Sequence, residues 1–364
     1  MAEDYFEIDF LAVETSKSGD AITIRYQVDD VTYVHVTDGG FTDTGKKVVD
    51  HIARHYRNDT GIDHVVLTHS DGDHARGLKY VLENSTVGSL WMNRPWLYAD
   101  ELIDRFATYN SVDALRSRLK KCYPTVFELE KIAEDKGIPI YEAFQGTQIG
   151  QFHVMSPPRA TYLDLIVESE KTPEGIDESE KSTAQMVTEM IKAALATAIN
   201  FVASLWGNEV FSSEETSAEN EMSVVQAARI CGKTILLTGD TGRRGLQAVI
   251  DYAPEVGLPL PGIDRFQVPH HGSRRNVNSD LLDQILGEKL SGQPMTSPGS
   301  FLAIVSSAKA DEHHPRKSVE RAMLHRGANL VATEGQDILT SCNAPERAGW
   351  TSVACRPYPT DQEA

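Results

Sequence analysis

The feature that most constrains this chain is His64-Val-Val-Leu-Thr68 running straight into His69-Ser-Asp71-Gly-Asp73-His74. A short apolar run of this kind forms a buried strand, and it ends in four side chains able to ligate a metal. Four polar groups directly behind a buried strand are costly unless a partner compensates them. Imidazole and carboxylate together suit zinc, manganese or iron. Taken alone, the cluster also reads as a surface turn rich in His and Asp.

Two further strand ends carry the same signature. Thr234-Ile-Leu-Leu-Thr-Gly-Asp240 is an apolar run ending in a carboxylate, and Phe266-Gln-Val-Pro-His270-His271-Gly-Ser273 ends in paired histidines. A lone Asp in a strand-terminal turn is common. Three strand ends bearing ligands in one chain are not explained by packing. The expected site therefore gathers His69, Asp71, Asp73, His74, Asp240 and the His270–His271 pair around two divalent metal ions, Zn²⁺ or Mn²⁺.

The rest of the chain places these motifs in a layered α/β fold. Tyr5 to Val13, Ala21 to Tyr26 and Thr32 to Thr37 alternate like strands, and Thr44 to Tyr56 reads as an amphipathic helix. A helix is expected from Gly77 through Leu82. Further strands are expected at 223–229, 234–238, 265–268, 301–305 and 329–333. Residues 97–137 and 163–219 read as two helical insertions on a single domain spanning 1–364, with 167–182 a polar, solvated loop.

At 364 residues the chain needs no staple to fold, so the expected metals are catalytic rather than structural. Its four cysteines form no C-x-x-C pair, its start is acidic, and no run of 18 apolar residues occurs. These features predict a reduced, cytoplasmic protein with no membrane span. A net charge of −18 argues against broad wrapping of nucleic acid, although a local basic mouth stays compatible with it.

The order His-x-Asp-x-Asp-His, Leu-Thr-Gly-Asp, Val-Pro-His-His-Gly-Ser resembles the metallo-β-lactamase-fold hydrolases. More narrowly, it is similar to the nuclease domain of the competence DNA-uptake protein ComEC. Phe10-Leu-Ala-Val, Gly19-Asp20-Ala-Ile-Thr-Ile, Thr37-Asp38-Gly39-Gly40, Asn220-Glu-Met-Ser223 and Ile304-Val-Ser306-Ser307 with His313-His314-Pro315 follow in order, so the likeness runs from about residue 6 to 340. It implies an αββα sandwich. It also implies His69 and Asp71 on a first metal, Asp73 and His74 on a second, Asp240 bridging, and His270 or His271 completing the second site. Asn220 or Ser223 falls where β-lactamase-like relatives place another histidine, which leaves the first site richer in oxygen.

For the chemistry, Asp73 is expected to orient the nucleophile. His314, or whichever of His270 and His271 is not a ligand, is expected to steady the leaving group or the attacked oxygens. Arg243, Arg244, Ser273, Arg274 and Arg275 follow the ligand loops immediately, and arginine forks suit phosphate. Their alternative reading is solvent-facing helix starts. The expected activity is phosphodiester hydrolysis, with DNA the foremost substrate. The alternatives are a small-molecule ester, lactone or thioester hydrolase, and a non-enzymatic module that binds a protein partner through its insertions.

Overall fold

The computed structural model describes residues 3–56, 61–169, 171, 205–292 and 300–362. Two seven-stranded sheets lie face to face. The first contains β1 (Tyr5–Phe10), β2 (Ala21–Val28), β3 (Val31–Gly39), β4 (Ile62–Val66), β5 (Val87–Trp91), β6 (Ile140–Tyr141) and β14 (Ile338–Cys342), in the order β14-β1-β2-β3-β4-β5-β6. The second contains β7 (Gln148–Ile149), β8 (Phe152–Ser156), β9 (Val225–Ile230), β10 (Lys233–Leu237), β11 (Arg265–Gln267), β12 (Phe301–Val305) and β13 (Ala328–Ala332), in the order β13-β12-β11-β10-β9-β8-β7.

Alternation explains the layers. Phe6, Ile8 and Phe10 on β1, with Ile22, Ile24 and Tyr26 on β2, meet Phe152, Ala228, Ile235, Leu237 and Ile304 of the opposite sheet. The outer face of the first sheet is covered by α1 (Thr42–His51), α2 (Gly72–Asn84), α3 (Val112–Cys122) and α4 (Pro124–Lys136), which bury Val48, Leu78, Leu82, Leu119 and Leu129 against Val36, Val65 and Leu90. The second sheet is covered by α6 (Arg243–Tyr252), α7 (Ser279–Leu286) and α8 (Lys317–His325), through Leu246, Val249, Leu282 and Met323. The helix α5 (Arg159–Glu168) packs Leu165 and Ile166 into the first outer layer. The architecture is the expected αββα sandwich, and no described helix is long and apolar enough to cross a membrane.

β3 to β6 run parallel, as do β10 to β13, so the ends of β4, β10 and β11 are carboxyl ends of parallel strands. Crevices outside such ends are where open α/β sheets hold ligands.

The structure corrects the elements in three places. Helix α2 begins at Gly72, not Gly77, so Asp73 and His74 sit in its first turn, where the Asp71 carbonyl accepts from the His74 and Ala75 amides. Gly77 lies inside the helix because β3 passes too close for a side chain: a Cβ there would collide with the Gly39 carbonyl. Strands β5, β6, β7, β8 and β14 are additional to those read from the sequence. Within 163–219, only the end of α5 and the single turn Ala218–Glu221 are helical among the described residues, and 172–204, with most of the expected loop, lie outside them.

Candidate metal centre

Asp240 is the hub. It follows β10 with its carboxylate almost fully buried, its amide donating to Ser223 Oγ (3.2 Å) and its carbonyl accepting from Asn276 Nδ2 (2.8 Å). Four imidazole Nε2 atoms surround the carboxylate: His74 at 3.3 Å, His270 at 3.6 Å, His271 at 3.8 Å and His69 at 3.9 Å. Asp71 faces His69 Nε2 at 3.7 Å, and Asp73 faces His271 Nε2 at 3.5 Å and His74 Nε2 at 4.0 Å. These separations exceed hydrogen-bond length. They match two ligands sharing one cation, which lie roughly 3 to 3.5 Å apart when each is about 2.1 Å from it.

The outer nitrogens fix the tautomers. His74 Nδ1 meets Asp38 Oδ2 at 2.7 Å, and a carboxylate only accepts, so the proton is on Nδ1. His271 Nδ1 likewise meets the Ser306 carbonyl at 2.9 Å. The Asn276 amide spends its Nδ2 on the carbonyls of Asp240 and Thr241, leaving Oδ1 to accept from His270 Nδ1 at 3.0 Å. The Thr68 hydroxyl donates to Asp38 Oδ2 (2.6 Å), so it accepts from His69 Nδ1 at 3.1 Å. All four rings therefore turn bare Nε2 lone pairs toward carboxylates. Nε2 of His69, His74 and His271 and Oδ1 of Asp240 have no hydrogen-bond partner among the described residues. Lone pairs converging on carboxylates in a buried space repel unless a cation lies between them. The donor set fits divalent metals, and a cluster of Asp20, His74, Asp240 and His271, with ligand atoms all within 4.8 Å of one another, is placed to hold an ion.

Backbone geometry brings in the last two rings. His270 and His271 take φ of 49° and 55°, left-handed values that cost a non-glycine residue roughly 1–3 kcal/mol each. The turn directs both rings back to Asp240, and it separates their surroundings. His271, buried, is the one that faces Asp73, whereas His270 Nδ1 donates to Asn276; both Nε2 atoms approach the same Asp240 oxygen, Oδ2. Asn220 contacts the His270 ring at Nδ1, and Ser223 holds the Asp240 backbone.

Bare Nε2 atoms describe the neutral rings; without metal, His74 and His271 can instead take a proton on Nε2, which then stands in for the cation. Burial alone would lower the His271 pKa, but Asp240, Asp73 and Asp20 push it up to about 9, and His74 is raised against burial by Asp240 and Asp38. A raised folded pKa contributes stability that is fully present below the unfolded value near 6.5 and lost as pH rises through about 9. The metal-free chain is therefore expected to melt several degrees lower above pH 9 than near pH 6.5. Thermal unfolding in chelator at both pH values checks this; equal melting points would contradict it.

The arginines divide. Arg243 donates to the carbonyls of Ser212 (2.5 Å) and Val277 (3.3 Å), and Arg244 pairs with Glu168 (2.7 Å) and Glu215 (3.4 Å). Both line a separate groove with Gln145, Tyr252 and Asp280. The α6 N-terminus is also taken, because Glu221 accepts from the amides of Gly242, Arg244 and Gly245. Arg243 and Arg244 are thus placed away from the metal cluster, contrary to the sequence expectation. Ser273, Arg274 and Arg275 do line a cavity beside His270.

His314 stacks on His270 (centroids 5.7 Å apart), and its Nδ1 is held by Asp311 Oδ2 at 3.2 Å, which leaves its Nε2 as an acceptor. Sequence reasoning missed Asp20, Asp38, Asn276 and Asp311. Of these, Asp38 had a visible signal, a carboxylate closing an apolar strand, but Gly39-Gly40 made it read as a turn. Lys171 was missed too; it pairs with Asp71 Oδ1 at 2.5 Å, and Lys171 and His69 hold the Asp71 carboxyl well below its usual range against the opposing effect of burial.

Residues 26–138 match the family model of the Metallo-beta-lactamase superfamily. Among solved structures the chain is similar to the hydrolase AbOPH in the beta lactamase superfamily, at 9% identity and a TM-score of 0.30, covering 61% of this chain and 56% of that one. The chain thus spans little more than half the length of that protein. No curated protein matches it. The match covers β2 to α4, and the sandwich architecture and the Asp/His cluster are consistent with the fold of that superfamily, whose members are generally metal-dependent hydrolases.

Proposed function

We propose that the chain is a two-metal phosphodiester hydrolase acting on DNA. The observation that carries this reading is the set of four Nε2 lone pairs aimed at Asp240. His69, Asp71, His270 and Asp240 would hold one cation, and Asp73, His74, His271 and Asp240 the other. Of the two histidines that the sequence left open for the second site, this reading takes His271 and adds His270 to the first. With nearly as many carboxylates as imidazoles, the set suits Mn²⁺ as well as Zn²⁺.

Bound there, the metals would supply Lewis-acid polarisation and an activated water. The chain's own residues do the rest. Asp73, partly exposed in a cavity of about 620 Å³, orients the nucleophile. His314 lines the same cavity and presents an acceptor nitrogen, so it takes a proton or orients the attacking water rather than donating to a leaving group. The phosphodiester class is supported by the arginines beside His270, and DNA by the resemblance of the motif order to that of the ComEC nuclease domain.

The test is hydrolysis of bis-p-nitrophenyl phosphate, plasmid and single-stranded DNA with added Mn²⁺ or Zn²⁺. Cleavage is expected, reduced on the order of 10²- to 10⁴-fold in Asp73→Ala. Cleavage of a lactone or thioester but of no phosphodiester would overturn the substrate class.

A further inference from the structure

Beyond His270 the mouth of the site opens into a second cavity of about 760 Å³. His270, His313 and His314 line both cavities, so the second begins where the metal cluster ends. Its charge is opposite to that of the chain: Arg274, Arg275 and Arg316 face a single carboxylate, Glu214, on a molecule of net charge −18. Glu214 is spent on Arg275, and that ion pair joins the wall at 210–214 to the wall at 273–275. The Ser212 amide, donating to the Arg274 carbonyl at 3.1 Å, makes a second tie between them.

Arg316 stands differently. Its amide donates to the Gly272 carbonyl (3.0 Å), which fixes the residue beside the double-histidine turn. Its side chain is half-buried, and its guanidinium makes no hydrogen bond or ion pair among the described residues. A partly desolvated arginine without a counter-charge, next to a hydrolytic site, calls for an anion from outside. The wall at 210–214 carries Phe211, a half-buried ring that, with Val210, is apolar in a mostly polar lining. An aromatic face beside a basic groove is the arrangement that holds single-stranded nucleic acid, with the base stacked and the phosphate paired.

We infer that this cavity is the subsite for the nucleotide next to the cleaved bond of a single-stranded polynucleotide, with Arg316 and Arg274 on its phosphate and Phe211 under its base. The ion pair and the amide–carbonyl bond hold the two walls together, and the single aromatic platform suits an unpaired base better than a paired one. The inference rests on the phosphodiesterase reading and specifies the form of its substrate.

The experiment is fluorescence anisotropy of a short labelled oligothymidylate with the full chain in chelator, titrated with salt, beside bis-p-nitrophenyl phosphate hydrolysis by the metal-loaded wild type. Arg316→Ala is expected to weaken binding about tenfold and to reduce the log–log salt slope by about 0.7, the value for one lost phosphate contact on a single strand. Arg316→Lys should restore most of the slope, which a merely structural role would not predict. Phe211→Leu, which keeps the apolar contact with the core, should weaken binding by about tenfold and leave the slope unchanged. An unaltered slope in Arg316→Ala, or a duplex bound as tightly as the single strand, overturns the subsite. If oligothymidylate binds as expected but wild type hydrolyses no phosphodiester, the subsite stands and the hydrolase reading falls.

Discussion

Asp240→Ala is expected to leave the chain with less than one tightly bound divalent ion and to lower phosphodiester hydrolysis by at least roughly a thousandfold, on the order of 4 kcal/mol of transition-state stabilisation. The reason is geometric. Among the described residues Asp240 is the carboxylate that all four inward Nε2 atoms approach within 3.9 Å, so its removal would take a ligand from both proposed cations. The turn itself should survive, because its ties to Ser223 and Asn276 use the Asp240 backbone. Circular dichroism separates lost metal from lost fold. An Asp240→Ala protein that still holds two metals would contradict the assignment.

Asp38→Ala should be nearly as damaging although Asp38 is no proposed ligand. Its buried carboxylate accepts from the Thr68 amide (2.8 Å), the Thr68 hydroxyl (2.6 Å) and His74 Nδ1 (2.7 Å). Removal leaves three donors without their acceptor behind the metal loop, a loss of about 3–5 kcal/mol by analogy with broken buried charge pairs. It also frees His74 to take the other tautomer, which points an N–H at Asp240 in place of a lone pair. Metal affinity should fall about 10- to 100-fold. Asp38→Asn is the sharper variant. Its amide oxygen can still serve Thr68, but its NH₂ then meets the His74 Nδ1–H, so stability should recover more than metal affinity does. Calorimetric metal titration together with thermal unfolding reads both, and an affinity within twofold of wild type in Asp38→Asn would sink the tautomer argument.

The parts of the site legible in the sequence are those where chain order and space coincide. β4, β10 and β11 are apolar runs that stop at ligands, and parallel pairing puts the carboxyl ends of such strands on one edge. Asp20, Asp38 and Asp311 were not legible as site residues. They arrive from the first meander and from the loop after β12, and only the folded sandwich sets Asp20 in the cluster, Asp38 behind His74 and Asp311 against His314. The roles of His270 and His271 depend on a left-handed turn that identical neighbouring residues do not announce. Arg243 and Arg244 misled because position after a ligand loop is not proximity. Glu221, carried in by a single helical turn, neutralises the α6 N-terminus they open. The short strands β6 and β7, of two residues each, carry too little alternation to be seen.

The central claim is that Asp240 and its four imidazoles cage a pair of divalent cations. Elemental analysis of the purified wild-type chain, reconstituted with Mn²⁺ or Zn²⁺ at neutral pH and freed of excess metal, tests it most directly. The account predicts close to two ions per chain, both removed by chelator without loss of the αββα fold. A folded chain that retains none would contradict it.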